Sequence, residues 1–141
     1  MKEIKFRGKS KKGEWIFGDL IQRTHKFIFP TGVYAYNIFE FLVEVIPETV
    51  GQYTGLKDKD GTKIYEGDVV QISGHPFQRN KQSWGGINID GNYEVSWNEH
   101  AVGFSIGTWK FIEVYKYCEV IGNIHENPEL LEGSQNESSH R

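Results

Sequence analysis

The chain has 141 residues, with 16 Lys and Arg residues against 19 Asp and Glu residues, and 38% of it is hydrophobic. This length suits one domain, or a barrel with a small appended piece, and excludes a large multidomain enzyme. The 4 Trp, 7 Tyr and 9 Phe residues, together with 16 glycines, are typical of a β protein. The composition therefore predicts a mostly β fold.

The cysteine content and hydropathy of the sequence indicate the cellular compartment in which we expect the protein. Cys118 is the single cysteine, which excludes an internal disulfide and a multi-cysteine zinc site and suits a reducing cytoplasm. The longest stretch without a charge, residues 27–39, is shorter than the ~20 residues of a membrane helix. Residues 1–5 reach no apolar run, so we expect no secretory signal and no membrane span.

The first half of the chain contains four segments with the pattern of strands. Residues 4–7 alternate between apolar and charged side chains, and residues 14–21 and 26–29 are mostly apolar. Residues 39–45 place aromatic and β-branched side chains on one parity, which predicts a fourth strand. Residues 34–37 have no clear period and are predicted to form a loop.

Residues 50–70 are the most patterned segment. Asp60-Gly61 supplies the positive φ angles of a tight hairpin turn, and a second turn at residues 66–68 leads into a strand at residues 69–72. Residues 74–91 are polar and rich in glycine, which is typical of a long mobile loop.

The last third of the chain alternates again, at residues 93–97, 102–106, 111–115 and 119–124, and each segment predicts a strand. Asn127-Pro128 then resembles the start of one short C-terminal helix, with Asn127 as its cap. Several short strands after residue 67 predict a small closed barrel. The predicted organisation is an N-terminal β region (1–49), a turn-rich segment (50–67), the barrel with its short helix (68–132) and a disordered tail (133–141).

Three sequence blocks resemble the YopX family of phage and prophage proteins. The central block reads Gly-Gln-Tyr-Thr-Gly-Leu-Lys-Asp-Lys at residues 51–59 and Ile-Tyr-Glu-Gly-Asp-Val-Val at residues 64–70. The opening block lies at residues 4–20, and the closing block, from Glu119 to Leu131, contains Gly-Asn and Glu-Asn-Pro. The resemblance implies an origin in a phage or integrated element, hence a bacterial host cell. It also implies an SH3-like barrel in the C-terminal half, and no established activity, cofactor or catalytic set.

Two candidate chemistries are outweighed by structural interpretations. Asp58-Lys59-Asp60-Gly61 resembles part of a calcium loop, but the required glycine and bidentate acid positions hold Lys63 and Val69, so a hairpin turn is favoured. A hydrolase using Glu99, His100 and an acid such as Glu66 or Asp68 lacks a recognisable nucleophile and orienting group. We therefore predict no catalytic, metal or cofactor site.

Positive charge is concentrated at the N-terminus. The first twelve residues hold six basic residues against one acid, a local balance of +5 in a chain of net charge −3. Basic and aromatic side chains together suit a nucleic-acid groove, although charge on the wet side of an edge strand also prevents aggregation. The candidate contacts for nucleic acid are Lys5, Arg7, Lys9, Lys11 and Lys12.

Two principal hypotheses of function follow. The first is a non-enzymatic binding or assembly module that acts through a protein partner, which could be a second copy, with contacts in residues 27–41 and 74–91. The second is a nucleic-acid-binding small barrel that uses the basic N-terminus. Both place the protein in the cytoplasm.

Overall fold

Eleven strands and a few helical turns are present in the residues that the computed structural model describes, which are 3–34, 36–78, 86, 88–107 and 109–132. The chain divides into two compact units, Met1–Gly55 and Leu56–Arg141. The tail predicted to be disordered, 133–141, lies outside the described residues. Residues 79–85 and 87 of the loop predicted at 74–91 also lie outside them.

The strands form two antiparallel sheets. The first five strands are β1 (Phe6–Lys9), β2 (Trp15–Gln22), β3 (Lys26–Pro30), β4 (Val43–Glu44) and β5 (Gly51–Lys57). The other six are β6 (Lys63–Tyr65), β7 (Asp68–Ile72), β8 (Gly91–Asn98), β9 (Gly103–Ile106), β10 (Trp109–Lys110) and β11 (Cys118–Asn123). The first sheet has the order β4-β3-β2-β1-β5-β6, and the second has the order β10-β9-β8-β7-β11.

Close backbone approach shapes the first sheet. Ile28 and Val45 are fully buried, and Gly8 makes room for the latter, since a Cβ at Gly8 would lie 2.9 Å from Val45 Cβ. A Cβ at Gly18, opposite Pro30 in the β2–β3 register, would lie 2.0 Å from the carbonyl oxygen of Phe29. The close approach of β3 to β2 therefore requires a glycine at Gly18.

The strand predicted over residues 39–45 is shorter in the structure. Only Val43–Glu44 is β4, and Ile38–Glu40 forms a 3₁₀ turn. Every second residue of β3 pairs toward β4: the Lys26 carbonyl accepts from Val45 N–H, and Ile28 pairs with Val43. Pro30 is the next residue of β3 on this side. Because Pro30 has no N–H to donate, the pairing of β3 with β4 ends there.

The core of the second unit is formed by side chains of the segment that runs from β6 to β11. Its fully buried side chains include Ile64, Val70, Ile72, Val95 and Ile106. The prediction of a mostly β fold is confirmed. The closed SH3-like barrel is not confirmed, because the described strands end at open edges, β10 and β11, with no pairing between them.

The strand predicted at residues 111–115 is wrong. Phe111–Val114 is instead the single turn of an α-helix, α1. Phe111 and Val114 are buried at a spacing of three residues, whereas Ile112 is largely exposed. That spacing fits a helical face, and the β-branched content of the segment had favoured the period of a strand.

The predicted C-terminal helix is present as a 3₁₀ turn, Pro128–Leu131. Asn127 stands at the N-cap position, as predicted, but its side chain makes no cap hydrogen bond. Asn127 Oδ1 instead accepts from the backbone N–H of Asn123, at 3.3 Å. Asn123 Oδ1 in turn accepts from the N–H groups of His125 and Glu126, each at 3.0 Å. The closing block of the sequence therefore builds a turn.

Asp58 holds the central block together. Its Oδ1 accepts from the backbone N–H groups of Asp60 and Thr62, and its Oδ2 accepts from that of Val120, all at 2.9 Å. The side chain thus shapes the β5–β6 hairpin and ties it to β11. The structure therefore contains a hairpin turn at Asp58-Lys59-Asp60-Gly61, with three backbone N–H groups on the Asp58 carboxylate.

The Cys118 thiol is fully buried and its Sγ lies 3.4 Å from the carbonyl oxygen of Val114. Burial, with a smaller contribution from the charge of Asp58, raises the pKa of the thiol to about 12 from 9.0. We expect the native protein to react with a disulfide reagent at pH 8 at least a thousandfold more slowly than the unfolded chain, because ~tenfold fewer thiolates form per pKa unit. The release of chromophore with and without denaturant measures this ratio, and equal rates would contradict the buried position.

Candidate interaction surface

The basic residues near the N-terminus do not share one environment. Lys5 Nζ lies 3.2 Å from Glu3 Oε2, and Lys11 Nζ lies 3.4 Å from Glu44 Oε2. Arg7 is buried, with 8% of its surface exposed, and Lys9 is partly buried. Among the described basic residues of positions 3–12, only Lys11 and Lys12, in the turn between β1 and β2, are exposed.

Arg7 and Lys9 pack on Trp15, which faces them from β2. The guanidinium carbon of Arg7 lies 4.8 Å from the Trp15 ring centroid, and Lys9 Nζ lies 6.0 Å from it. A cation over an indole face is a stabilising contact within the sheet. The ring that could stack on a base is therefore already in contact with cations of its own chain.

A surface cleft of about 330 Å³ lies beside the same turn. Ile16 and Val43 are its half-buried apolar residues. Its polar lining consists of Ser10, Lys11, Lys12, Glu14 and Glu44. Ser10 is buried and its Oγ accepts from the N–H groups of Lys12 and Glu14, at 3.3 and 3.2 Å, so the turn that forms the rim is well ordered.

Glu44 links three parts of the first unit at this cleft. Its Oε2 lies 2.9 Å from His25 Nδ1, in the β2–β3 turn, and 3.4 Å from Lys11 Nζ. The hydrogen bond with His25 is the largest cause that lowers the pKa of Glu44, and Lys11 adds to it against an opposing effect of burial. Glu44 is thus engaged by two basic groups, whereas Lys12 makes no ion pair within the described part of the chain. Sequence patterns gave no signal for the contact between His25 and Glu44, which lie 19 residues apart.

Apolar side chains are most exposed in residues 34–41, which we call the aromatic segment. All five of its described large apolar side chains are exposed: Tyr34 (95%), Tyr36 (111%), Ile38 (39%), Phe39 (70%) and Phe41 (44%). The 3₁₀ turn orders the backbone, since Asn37 Oδ1 accepts from Phe39 N–H at 3.0 Å and the Asn37 carbonyl accepts from Glu40 N–H at 3.2 Å.

The predicted contact region 27–41 therefore narrows to its second half. Phe27 and Phe29 are half-buried in β3, whereas Tyr34, Tyr36, Phe39 and Phe41 are exposed. The lack of a period at residues 34–37 was a signal in the sequence for the two tyrosines. The alternation of residues 39–45 predicted a strand and gave no signal for the two phenylalanines. Of the other predicted contact region, 74–91, residues 79–85 and 87 lie outside the described residues. Gln78 Oε1 accepts from Ile89 and Asp90 N–H at 2.8 and 2.7 Å and so joins the two ends of that loop.

The residues of the hydrolase hypothesis occupy different elements. Glu99 and His100 are exposed in the turn between β8 and β9. Asp68 is buried at the start of β7, and its Oδ2 accepts from Tyr65 N–H at 2.7 Å. Within the described residues, no group of three or more His, Cys, Asp or Glu side chains is placed to hold a metal ion. Among the same residues, no helix is long and apolar enough to cross a membrane.

Comparisons with known proteins give a family and a similar solved structure. The structure is similar to the crystal structure of protein EF1440 from Enterococcus faecalis, with a TM-score of 0.50 and 24% sequence identity over 94% of this chain and 100% of that chain. No curated protein matches the sequence significantly. The family model described as YopX protein matches residues 5–132, which is most of the chain. The chain therefore belongs to the YopX family.

Proposed function

We propose that this protein is a non-enzymatic binding or assembly module that acts through protein–protein contacts, and that the aromatic segment is its contact surface. The exposure of five large apolar side chains in eight residues carries the proposal. Taking about 200 Å² for a large apolar side chain, the segment exposes roughly 700 Å². Each partner of a stable interface contributes about 800 Å².

The ordered turn supports the same proposal. Exposed apolar patches on a monomer rarely exceed a few hundred Å² unless they serve a contact. Because three hydrogen bonds already fix the backbone of the 3₁₀ turn, binding through it costs less conformational entropy than ordering a loose loop. The proposal places the protein in the cytoplasm of a bacterial cell, as the phage origin of the resemblance implies.

Photo-crosslinking from the segment tests this function. We expect a photoreactive amino acid at Phe39 to form adducts with a protein in the host cell, because the side chain is 70% exposed on the proposed contact. Ile112 in the second unit is 64% exposed and lies outside both predicted contact regions, so it is the matched control position. Adducts are read as a mass increase on a denaturing gel. Their absence at Phe39, or equal yield at both positions, would contradict the proposal.

Nucleic-acid binding is the competing outcome. It is less favoured because Lys5 and Lys11 are in ion pairs and Arg7 is buried against Trp15. Phosphate contacts are strongest at low ionic strength. Binding of single-stranded or duplex DNA or RNA that weakens steeply with salt would favour this alternative, and Lys12→Glu would then reduce it.

A further inference from the structure

We propose that the partner of the aromatic segment is a second copy of this chain, whose cleft at the β1–β2 turn receives Phe39, Glu40 and Phe41. This inference rests on the proposed function and names its partner. The two surfaces belong to the same unit but are separate, since none of the five large apolar side chains of the segment lines the cleft of its own chain.

The first support is the match of apolar surfaces. The cleft has Ile16 and Val43 among its lining residues and a volume of about 330 Å³, at the lower end of the range of ligand pockets. That volume accommodates an aromatic side chain. Phe39 and Phe41 are exposed and two residues apart, so one ring can enter the cleft while the other covers its rim.

The second support is charge complementarity. Glu40 is exposed between the two phenylalanines, and Lys12 is exposed on the rim of the cleft. Neither makes an ion pair within the described residues of its own chain, whereas the other lysine of the cleft, Lys11, already contacts Glu44. Seating the phenylalanines of one copy in the cleft of the next brings Glu40 to Lys12, which lines that cleft. Two copies that exchange the segment reciprocally form an isologous dimer, whereas a head-to-tail contact is heterologous and closes as a ring.

A charge exchange tests the contact directly. We expect the unmodified chain to form a complex of at least two copies, measured by light scattering from about 1 μM to about 1 mM, the range of weak to moderate association. Lys12→Glu and Glu40→Lys each place like charges in every contact. Each variant is expected to weaken association by about tenfold. The double variant restores the opposite charges and is expected to regain most of the loss.

Separate controls test whether the variants fold and whether the proposed function holds. Lys110→Glu reverses an exposed lysine of the second unit and is expected to leave association unchanged. Circular dichroism and the unfolding midpoint show whether the variants fold, and the rescue by the double variant cannot arise from misfolding. A strictly monomeric chain at every concentration, or single variants that associate like the unmodified chain, would overturn this inference. If Phe39 still forms adducts with another protein, the proposed function survives, and if it forms none, both fail.

Discussion

Asp58→Ala is expected to destabilise the second unit by about 3 kcal/mol, because an unsatisfied buried N–H costs about 1 to 3 kcal/mol and the carboxylate serves three of them. The three donors belong to Asp60, Thr62 and Val120, and the side chain itself is 7% exposed. Water can partly replace the carboxylate at the exposed turn, so the loss is below the sum of three full penalties. The midpoint of unfolding in urea, followed by the fluorescence of Trp97 and Trp109 in the second unit, measures the change.

Two variants separate the hydrogen bonds from the turn. Asp60 lies in the same hairpin but is exposed, and Asp60→Ala is expected to change stability by less than about 0.5 kcal/mol. Asp58→Asn keeps the size and one acceptor but turns an amide donor toward at least one N–H group, so its loss should be intermediate. Equal stability of Asp58→Ala and Asp60→Ala would show that Asp58 does not stabilise the hairpin.

Local rules explain how much of the fold the sequence could predict. A turn at Asp60-Gly61 was predictable from these residue types, and Gly61 has a φ of +86°. The positive φ predicted for Asp60 is wrong, because five residues, 58–62, join β5 to β6 in place of a tight two-residue turn. The strand β7 was predictable because the apolar run of residues 69–72 is short and β-branched. By contrast, the extent of β4 is limited by Pro30 in the neighbouring strand β3. The alternation of apolar and polar side chains within residues 39–45 contains no information about that neighbour, so it cannot show how short β4 is.

The candidate surface was predictable only as a region. Aromatic residues without a period in residues 34–37 indicated a segment outside the sheet, but the same residue types at Phe27 and Phe29 are half-buried in β3. Burial depends on which strand lies alongside, and that is a tertiary property. The cleft combines Lys12 and Glu14 with Val43 and Glu44 from a strand about 30 residues away, so sequence proximity could not assemble it.

Gly18→Ala is expected to destabilise the first unit by about 4 kcal/mol or more, which is at the upper end for single substitutions. The new Cβ would lie 2.0 Å from the carbonyl oxygen of Phe29, 2.9 Å from its carbonyl carbon and 3.0 Å from the nitrogen of Thr31. These are backbone atoms of the β3 edge, and Thr31 N–H donates to the Phe17 carbonyl at 2.9 Å. Relief of the clash therefore requires β3 to separate from β2, and β3 in turn carries β4 and the aromatic segment.

Gly32→Ala is the matched control for this prediction, because it lies two residues after β3 and has a φ of +88°, with nothing within 4 Å of an added Cβ. It should cost only the strain of the left-handed conformation, about 1 to 2 kcal/mol. Denaturant unfolding of the two variants, followed by the fluorescence of Trp15 in the first unit, compares the costs directly. Losses of the same size would mean that backbone conformation, and not the approach of β3 to β2, sets the requirement for glycine at Gly18. A much larger loss at Gly18 would show that the spacing of these two strands fixes the base from which the aromatic segment extends.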